Sequence, residues 1–247
     1  MDAPHALEYL PAAGPPDLLF LLFHGVGARP YDMLPAMDRL AAEYPQAALV
    51  ALPAPDPFDA VPGGGSGTQW FSVKGIDEHN RPARVDAAMP GFVQAVRAQQ
   101  ARFGVEWPRT ALVGFSQGAI MALEAVQQEP RLAGRVLAFS GRHARLPTHV
   151  PQDTTVHLLH GMDDRVVPPG PAVAAARQLV GLGADVTADV LPGIGHELHP
   201  HLIERAVEQL RGFLPKRAWR EALSEAPVRN RVASSRELGA WPPTGRP

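Results

Sequence analysis

Three residues of types that together perform nucleophilic catalysis stand at turn positions of this 247-residue sequence: Ser116, Asp164 and His196. Ser116 is the centre of the motif Gly114-Phe-Ser-Gln-Gly118, which follows an apolar run and precedes a segment with helical spacing. In such a strand–turn–helix motif flanking side chains would clash, so glycine occupies both positions. The motif predicts a nucleophilic serine above a sheet edge, at a helix N-terminus that favours negative charge.

The two partners that a serine nucleophile needs follow it in the order acid, then histidine. The apolar run 155–159 leads into the turn HGMDD, and the run 186–191 leads into PGIGH, which ends at His196. Asp163 and Asp164 compete as the acid. We favour Asp164, because it lies further into the turn and precedes the Val-Val-Pro that starts the next helix, whereas Asp163 fits a turn-capping neighbour.

A third turn supplies hydrogen-bond donors for an oxyanion. The apolar run 18–23 ends in His-Gly-Val-Gly, and a Gly-rich turn at this place aims a backbone N–H at the developing charge. The predicted donors are the amides of Val26 and of Gln117, the residue after the serine. His24 is expected to support this loop rather than to act as a base.

A zinc site built from His160, Asp163, His196 and His199 is the competing interpretation. It would leave the serine motif unexplained, so we expect neither a metal nor an organic cofactor. The sequence has no cysteine, which excludes disulfides, thiolate metal sites and a cysteine nucleophile.

Composition limits the classes of partner. With 45% hydrophobic and 19% charged residues the chain is globular, and 247 residues suit one domain. A net charge of −2 gives no reason to expect nucleic acid or an anionic membrane. The N-terminal apolar run 18–23 follows an acidic residue and is shorter than the ~7–15 residues of a signal or the ~20 of a span. We therefore expect a cytoplasmic protein without membrane insertion.

Buried strands alternate with helical segments along the chain. Continuous apolar runs interleaved with amphipathic segments predict an α/β fold, with a mainly parallel sheet covered by helices on both faces. Residues 5–10 could add an edge strand. The predicted strands are Leu18–Phe23, Ala47–Ala51, Thr110–Gly114, Val136–Ser140, Thr155–Leu159 and Val186–Leu191, and the predicted helices are Asp32–Tyr44, Arg84–Phe103, Gln117–Gln128, Pro171–Leu182 and Leu202–Phe213.

Two segments depart from this alternation. Residues 53–82 form a long loop with proline and glycine clusters but also the aromatic pair Trp70 and Phe71, and loops of this length are usually functional or disordered. Residues 1–214 are predicted to form the domain, 215–226 an extra helix, and 227–247 a poorly ordered tail. Between the strands at 136–140 and 155–159 there is only a short polar turn, so no large cap domain is expected.

The chain resembles bacterial carboxylesterases of the acyl-protein thioesterase-like group, the phospholipase/carboxylesterase family, over about residues 17–214. The likeness rests on the motifs LLFHGVG, QWFSVKGIDEHNRPARV, ALVGFSQGAIMAL, HGMDDRVVP and LPGIGHELHP. It implies an α/β-hydrolase fold, with Asp164 as the acid and His196 as the base. It also implies that the loop carrying Trp70 and Phe71 lies beside the substrate cleft, and packing of this loop onto the domain is the alternative.

The predicted activity is hydrolysis of carboxylic esters of short to medium acyl chain through an acyl-enzyme, without a cofactor. Acyl-thioesterase or lysophospholipase activity is the alternative, and a non-catalytic scaffold that binds a small ligand is the remote one. The expected partner is a small ester or thioester, not nucleic acid. A homodimer is left open.

Overall fold

The computed structural model of the chain describes residues 5–61, 67–218 and 220. These residues contain nine strands and five α-helices, together with two short 3-10 helices. The strands are β1 (Leu7–Tyr9), β2 (Leu18–Phe23), β3 (Ala47–Leu52), β4 (Asp56–Pro57), β5 (Thr68–Gln69), β6 (Thr110–Phe115), β7 (Arg135–Phe139), β8 (Thr155–Gly161) and β9 (Asp185–Leu191). The α-helices are α1 (Leu34–Glu43), α2 (Arg81–Phe103), α3 (Gln117–Gln128), α4 (Gly170–Gly181) and α5 (Pro200–Gly212), and the 3-10 helices are Pro30–Met33 and Trp107–Arg109.

Seven strands form one sheet in the order β1-β3-β2-β6-β7-β8-β9. All neighbours are parallel except β1, which pairs antiparallel with β3 at the edge. The register places Phe23 beside Gly114, so β2 and β6 end at the same level. The carboxyl ends of parallel strands meet at one edge, and this edge carries the predicted catalytic turns. The predicted parallel sheet is confirmed, as is the edge strand within residues 5–10.

Helices cover both faces of the sheet, and β2 shows why the sequence dictates this. Leu19, Leu21 and Phe23 belong to a core cluster shared with α2 and α3, whereas Phe20 and Leu22 belong to a second cluster shared with α1 and α5. Successive side chains of a strand point to opposite faces, so a run that is apolar at every position requires a cover on each side.

Two helices begin at residues other than those predicted, and each has a proline in its first turn. The predicted helix 32–44 is a 3-10 turn followed by α1, which begins at Leu34 with Pro35 in its first turn. The helix predicted from Arg84 begins at Arg81, three residues earlier, with Pro82 again in the first turn. Proline is tolerated there because the first amides of a helix have no partner within the helix.

The long loop 53–82 is more regular than expected, because β4 and β5 pair within it as a two-stranded antiparallel ribbon. Residues 216–218 are helical and fall within the extra helix predicted for residues 215–226. Most of the remaining helix, together with the predicted tail 227–247, lies outside the described residues, so the domain boundaries stay a prediction. No helix within the described ranges is long and apolar enough to cross a membrane.

A buried carboxylate and an ion pair nearer the surface hold the segment between β7 and β8 against the domain. Glu124 of α3 accepts hydrogen bonds from the Ala144 amide at 2.9 Å and from His143 Nδ1 at 3.0 Å, and both side chains of this pair are buried. Arg142 donates to both carboxylate oxygens of Glu78. This segment contains no helix or strand, which agrees with the absence of a large cap.

A second buried histidine, His157, lies on β8. Its Nδ1 is 2.9 Å from the hydroxyl of Thr187, its ring meets the edge of Phe213, and its Nε2 has no partner among the described residues. Burial lowers the pKa of His157 to about 3, with a smaller contribution from the positive charge of Arg135. The ring is therefore neutral in the folded protein throughout the ordinary pH range.

We predict that His157 makes the fold sensitive to acid. The pKa of a histidine in the unfolded chain is about 6.5. Below this pH the unfolded chain binds a proton at residue 157, whereas the folded chain does not. Stability is lost as pH falls from about 6.5 toward 3, and this residue accounts for about 2 kcal/mol at pH 5. In urea unfolding at pH 7.5 and pH 5, His157→Asn should lose about 2 kcal/mol less than the wild type. The exposed His201→Asn is the control, and equal losses in all three proteins would contradict the prediction.

Candidate active site

The turn between β6 and α3 holds Ser116 in a strained conformation. Its φ of 53° and ψ of −114° lie outside the regions that residues with a Cβ ordinarily adopt. A Cβ on Gly114 would lie 2.4 Å from the Cα of Ala119, and one on Gly118 would lie 2.1 Å from the carbonyl oxygen of Phe23. Both glycines of the motif are therefore required by close backbone approaches, as the sequence predicted.

Three strand ends bring the predicted serine, histidine and acid into one hydrogen-bonded row. Ser116 Oγ lies 3.0 Å from His196 Nε2, and His196 Nδ1 lies 2.7 Å from Asp164 Oδ2. The ring of Phe115 packs against the imidazole with centroids 5.0 Å apart. Ser116 is 8% exposed, so the residue is largely enclosed by the protein.

The buried carboxylate of Asp164 has a partner for each oxygen. Oδ1 accepts hydrogen bonds from the amides of Val166 and Val167 at 2.9 and 2.8 Å, and Oδ2 faces His196. Burial alone would raise the pKa of Asp164, but the hydrogen bonds from the imidazole and from the two loop amides outweigh it and lower the pKa. The carboxylate is therefore ionised wherever the protein is folded near neutral pH.

The neighbouring Asp163 does not reach the imidazole, because its carboxylate accepts a hydrogen bond from the Gly193 amide at 2.9 Å. Sequence reasoning missed a different neighbour of the acid, His160. Its Nε2 lies 2.7 Å from the carbonyl oxygen of Val167 and 3.3 Å from Asp164 Oδ2. Since a carbonyl only accepts, Nε2 carries the proton, and burial lowers the pKa of His160 so that the ring is neutral.

Within the described residues, the two backbone amides predicted to bind the oxyanion have no hydrogen-bond acceptor. Gln117 is the first residue of α3, where an amide has no intrahelical acceptor. In the loop after β2 the amides of Gly27 and Ala28 donate to backbone oxygens at 2.8 and 3.3 Å, whereas that of Val26 has no acceptor among the described residues. The elbow and this loop are in contact, since a Cβ on Gly25 would meet the ring of Phe115 at 3.3 Å.

Trp70 and Phe71, which were expected to bind substrate, lie in the core of the structure. These side chains are 4% and 5% exposed and belong to the core. The indole of Trp70 packs edge-on against Phe23 and Phe92, with centroids 5.4 Å apart in each pair. Its Nε1 donates to the carbonyl oxygen of His24 at 2.9 Å, so the polar tip of the ring has a buried acceptor. The alternative interpretation, packing of the loop onto the domain, describes both aromatics.

A cavity of about 400 Å³ adjoins the row. It lies between the loop that carries Val26 and the loop that carries His196, and neither Trp70 nor Ser116 lines it. Its other side chains are the apolar Met33, Phe115 and Leu198 and the acidic Asp32 and Glu197. These apolar side chains and the two carboxylates form one wall of the cavity, here called the acidic wall.

The competing zinc interpretation requires several metal-binding side chains close together. In the part of the chain that the structure describes, no cluster of three or more His, Cys, Asp or Glu side chains is arranged to hold a metal ion. Asp163 bonds to the Gly193 amide and His160 to the Val167 carbonyl, and His199 Nδ1 accepts from the His201 amide at the start of α5.

The parallel sheet with helices on both faces, together with the serine elbow at the end of β6, defines the molecule as an α/β-hydrolase. The profile of the family described as Phospholipase/Carboxylesterase matches residues 9–214. The chain is 46% identical to Esterase YpfH of Escherichia coli over 210 residues, which cover 85% of this chain and 89% of that protein. It therefore belongs to the phospholipase/carboxylesterase family, and is a hydrolase of the carboxylesterase type.

More distant relatives agree with this assignment. Acyl-protein thioesterase 1 of Eremothecium gossypii is 26% identical over 236 residues, which cover 87% of this chain and 95% of that protein. The crystal structure of esterase PE8 superposes with a TM-score of 0.76 at 27% identity, covering 85% of this chain and 98% of that one. The resemblance inferred from the motifs is confirmed.

Two helical glycines allow a matched test of the close approach at the elbow. Gly118→Ala places a Cβ 2.1 Å from a backbone oxygen, so either the helix or β2 must move, and overpacking of this kind costs about 1–3 kcal/mol or more. Gly91→Ala in α2 meets nothing within 4 Å and should stabilise the helix by about 0.5–1 kcal/mol. Thermal unfolding of both variants measures this, and equal shifts in Tm would contradict the prediction.

Proposed function

We propose that Ser116 is the nucleophile of an ester hydrolase, with His196 as general base and Asp164 as the acid that orients it. The observation that carries the proposal is the row of hydrogen bonds at 3.0 and 2.7 Å that joins the three side chains. Serine is a weak nucleophile at neutral pH, and an adjacent histidine held by a buried carboxylate activates it.

The reaction proceeds in two halves. Ser116 Oγ bonds to the acyl carbon while His196 Nε2 takes the hydroxyl proton, and the amides of Val26 and Gln117 donate to the oxyanion. The imidazolium then gives this proton to the leaving oxygen or sulfur, and the bond from the acyl carbon to that atom breaks. Water, deprotonated by His196, attacks the acyl-enzyme, and the proton returns to Ser116 as the carboxylic acid leaves.

The cavity supports a small, uncharged acyl donor. Its volume of about 400 Å³ falls at the lower end of the range for small-molecule sites, about 300–1,000 Å³. The apolar Met33 and Leu198 suit a short or medium acyl chain, whereas the exposed carboxylates of Asp32 and Glu197 repel anions. Thioester or lysophospholipid hydrolysis remains the alternative, and within it the acidic wall disfavours polyanionic carriers.

The role of Ser116 is tested with a fluorophosphonate probe and an aryl ester. The wild type should be labelled and should hydrolyse the ester, whereas Ser116→Ala should not be labelled and should lose at least about a thousandfold in kcat. Retention of most of the labelling or of the turnover in the variant would refute the assignment. A catalytically silent scaffold would show neither labelling nor turnover in the wild type.

The adjacent aspartates provide the matched pair for the same experiment. Asp164→Asn should lower kcat by on the order of 10⁴, because an amide cannot hold the imidazole in the required tautomer. Asp163→Asn changes the same chemical group one residue away, which bonds only to a loop amide in the described structure, and should cost little more than a few-fold. Similar small losses in both would remove Asp164 from the mechanism.

The acidic wall predicts discrimination by charge. Among aryl esters whose acyl chains end in tert-butyl, trimethylammonium or carboxylate groups, the carboxylate should have a kcat/KM about three- to tenfold below that of the neutral ester at low salt. Glu197→Gln and Asp32→Asn should each bring the kcat/KM of the carboxylate ester closer to that of the neutral ester. Any excess of kcat/KM for the trimethylammonium ester over the neutral ester should fall in the same variants. Glu106→Gln removes an equal charge from the opposite edge of the sheet as control, and an unchanged ratio in the first two variants would contradict the prediction.

The cytoplasmic location expected from the sequence stays a prediction, as does the oligomeric state. Neither enters the proposed mechanism, which uses groups from one chain.

A further inference from the structure

Trp70 and Phe71 are buried, so the contribution of these aromatic residues to the site needs another explanation than contact with substrate. Residues 67–71 do not line the cavity; they lie behind it, between the loop that carries Val26 and the first turn of α3. These are the two elements that provide the proposed oxyanion donors. The contacts of this segment, here called the bridging segment, therefore bear on how the two donors are held relative to each other.

Toward the first donor, the bridging segment pairs with the loop through its backbone. The Gly27 amide donates to the Thr68 carbonyl at 2.8 Å, and the Thr68 amide donates to the Ala28 carbonyl at 3.0 Å. A Cβ on Gly67 would lie 1.9 Å from the Gly27 oxygen, so the two backbones are in direct contact. Val26, whose backbone amide is the proposed donor, immediately precedes Gly27, the first residue of this pairing.

His24 and Trp70 fix the other end of the same loop. The indole Nε1 of Trp70 donates to the His24 carbonyl at 2.9 Å. The imidazole of His24 is fully buried, with Nδ1 2.7 Å from the Gly25 carbonyl and Nε2 accepting from the Ala54 amide at 3.1 Å. Burial lowers the pKa of His24, so it is a neutral ring with its proton on Nδ1. The loop is thereby held on both sides of Val26.

Toward the second donor, the contact is made by the side chain of Gln117 itself. Its Oε1 accepts from the Trp70 amide at 2.8 Å, and its Nε2 donates to the Phe71 carbonyl at 2.7 Å. The residue is 3% exposed, so these bonds are formed away from water. Gln117 thus contributes its main-chain amide to the proposed oxyanion site. Its side-chain oxygen and nitrogen both bond to the bridging segment.

We infer that the Gln117 side chain and the Trp70 indole are positioning residues that set the separation of the two oxyanion donors. The bridging segment is the connecting piece: Trp70 ties it to the Val26 loop, and Gln117 ties it to the nucleophile turn. Donors that are prearranged around the developing charge need no reorganisation during the reaction, and this is the main source of their effect. The inference rests on the proposed serine mechanism.

The experiment compares substitutions that keep most of the side chain but remove its hydrogen bonds. Trp70→Phe keeps an aromatic ring and loses the bond to the His24 carbonyl, and Gln117→Met keeps the length of the side chain and loses both bonds. The main-chain amide of Gln117 is present in both variants. Each should lower kcat about ten- to a hundredfold with KM within about threefold, less than the 10²–10³ found when a donor is removed outright.

Phe92→Leu is the control for lost packing. Phe92 meets the Trp70 ring with centroids 5.4 Å apart and lies in the same core cluster, but it makes none of the contacts that tie the bridging segment to the donors. It should lower Tm by an amount comparable to that of Trp70→Phe while leaving kcat within about threefold. Titration with the fluorophosphonate counts intact sites in every preparation, so loss of folded protein is separated from loss of rate per site.

Inhibition by an arylboronic acid provides the readout that a purely structural role would not move. The boronate adds to the serine and places a tetrahedral oxyanion at the donors, so its Ki should rise in proportion to the fall in kcat/KM in both variants. Unchanged kcat and Ki in Trp70→Phe and Gln117→Met would overturn the inference. So would a loss of kcat/KM carried by KM alone, with Ki unchanged.

A second variant keeps the inference testable where Gln117→Met does not fold. Gln117→Asn keeps an uncharged amide on a side chain one methylene shorter, which cannot make both bonds to the bridging segment. It should fall between wild type and Trp70→Phe in Ki, and wild-type values would count against the inference. Failure of the proposed function is recognised separately, since it would appear as wild-type protein that the fluorophosphonate does not label.

Discussion

The contact between the first turn of α3 and the end of β2 is the constraint on which the site depends. A Cβ at Gly118 would lie 2.1 Å from the Phe23 carbonyl oxygen, so the helix approaches the strand more closely than any side chain permits. Directly before it, Ser116 occupies a strained conformation with φ of 53°. Since β2 continues into the loop with Val26, this one approach brings the serine beside that loop. A wider turn would separate the serine from both the loop and the imidazole.

Buried neutral histidines distinguish the support of the site from its proposed chemistry. His24 and His160 each hold their proton on the nitrogen that faces a carbonyl oxygen, and burial lowers the pKa of both. A neutral ring satisfies buried backbone groups without the cost of burying a charge. His196 differs, because it borders the cavity and meets a hydroxyl on one side and a carboxylate on the other. Histidines thus have different roles in this fold, according to their burial and their hydrogen-bond partners.

Much of the architecture was predictable because its signals are local. The strands β2 and β6 and the helix α3 agree with prediction to within a residue, since apolar runs and 3.6-residue spacing report directly on burial of one face or two. The serine elbow and the order of acid and histidine were predictable for the same reason, each being a short motif at a strand end. Helix starts were predicted less well where proline allowed the helix to begin earlier, as at Arg81.

The sequence alone therefore determined the sheet, the elbow and the candidate set of reactive groups, and the tertiary structure decided which members meet. Asp164 rather than Asp163 reaches His196, because a turn places adjacent carboxylates in different directions. Trp70 lies in the core and does not line the cavity, since its indole Nε1 donates to the His24 carbonyl, 46 residues away in the sequence. Local spacing carries no information about such contacts, whose partners are brought together only when the sheet and helices pack.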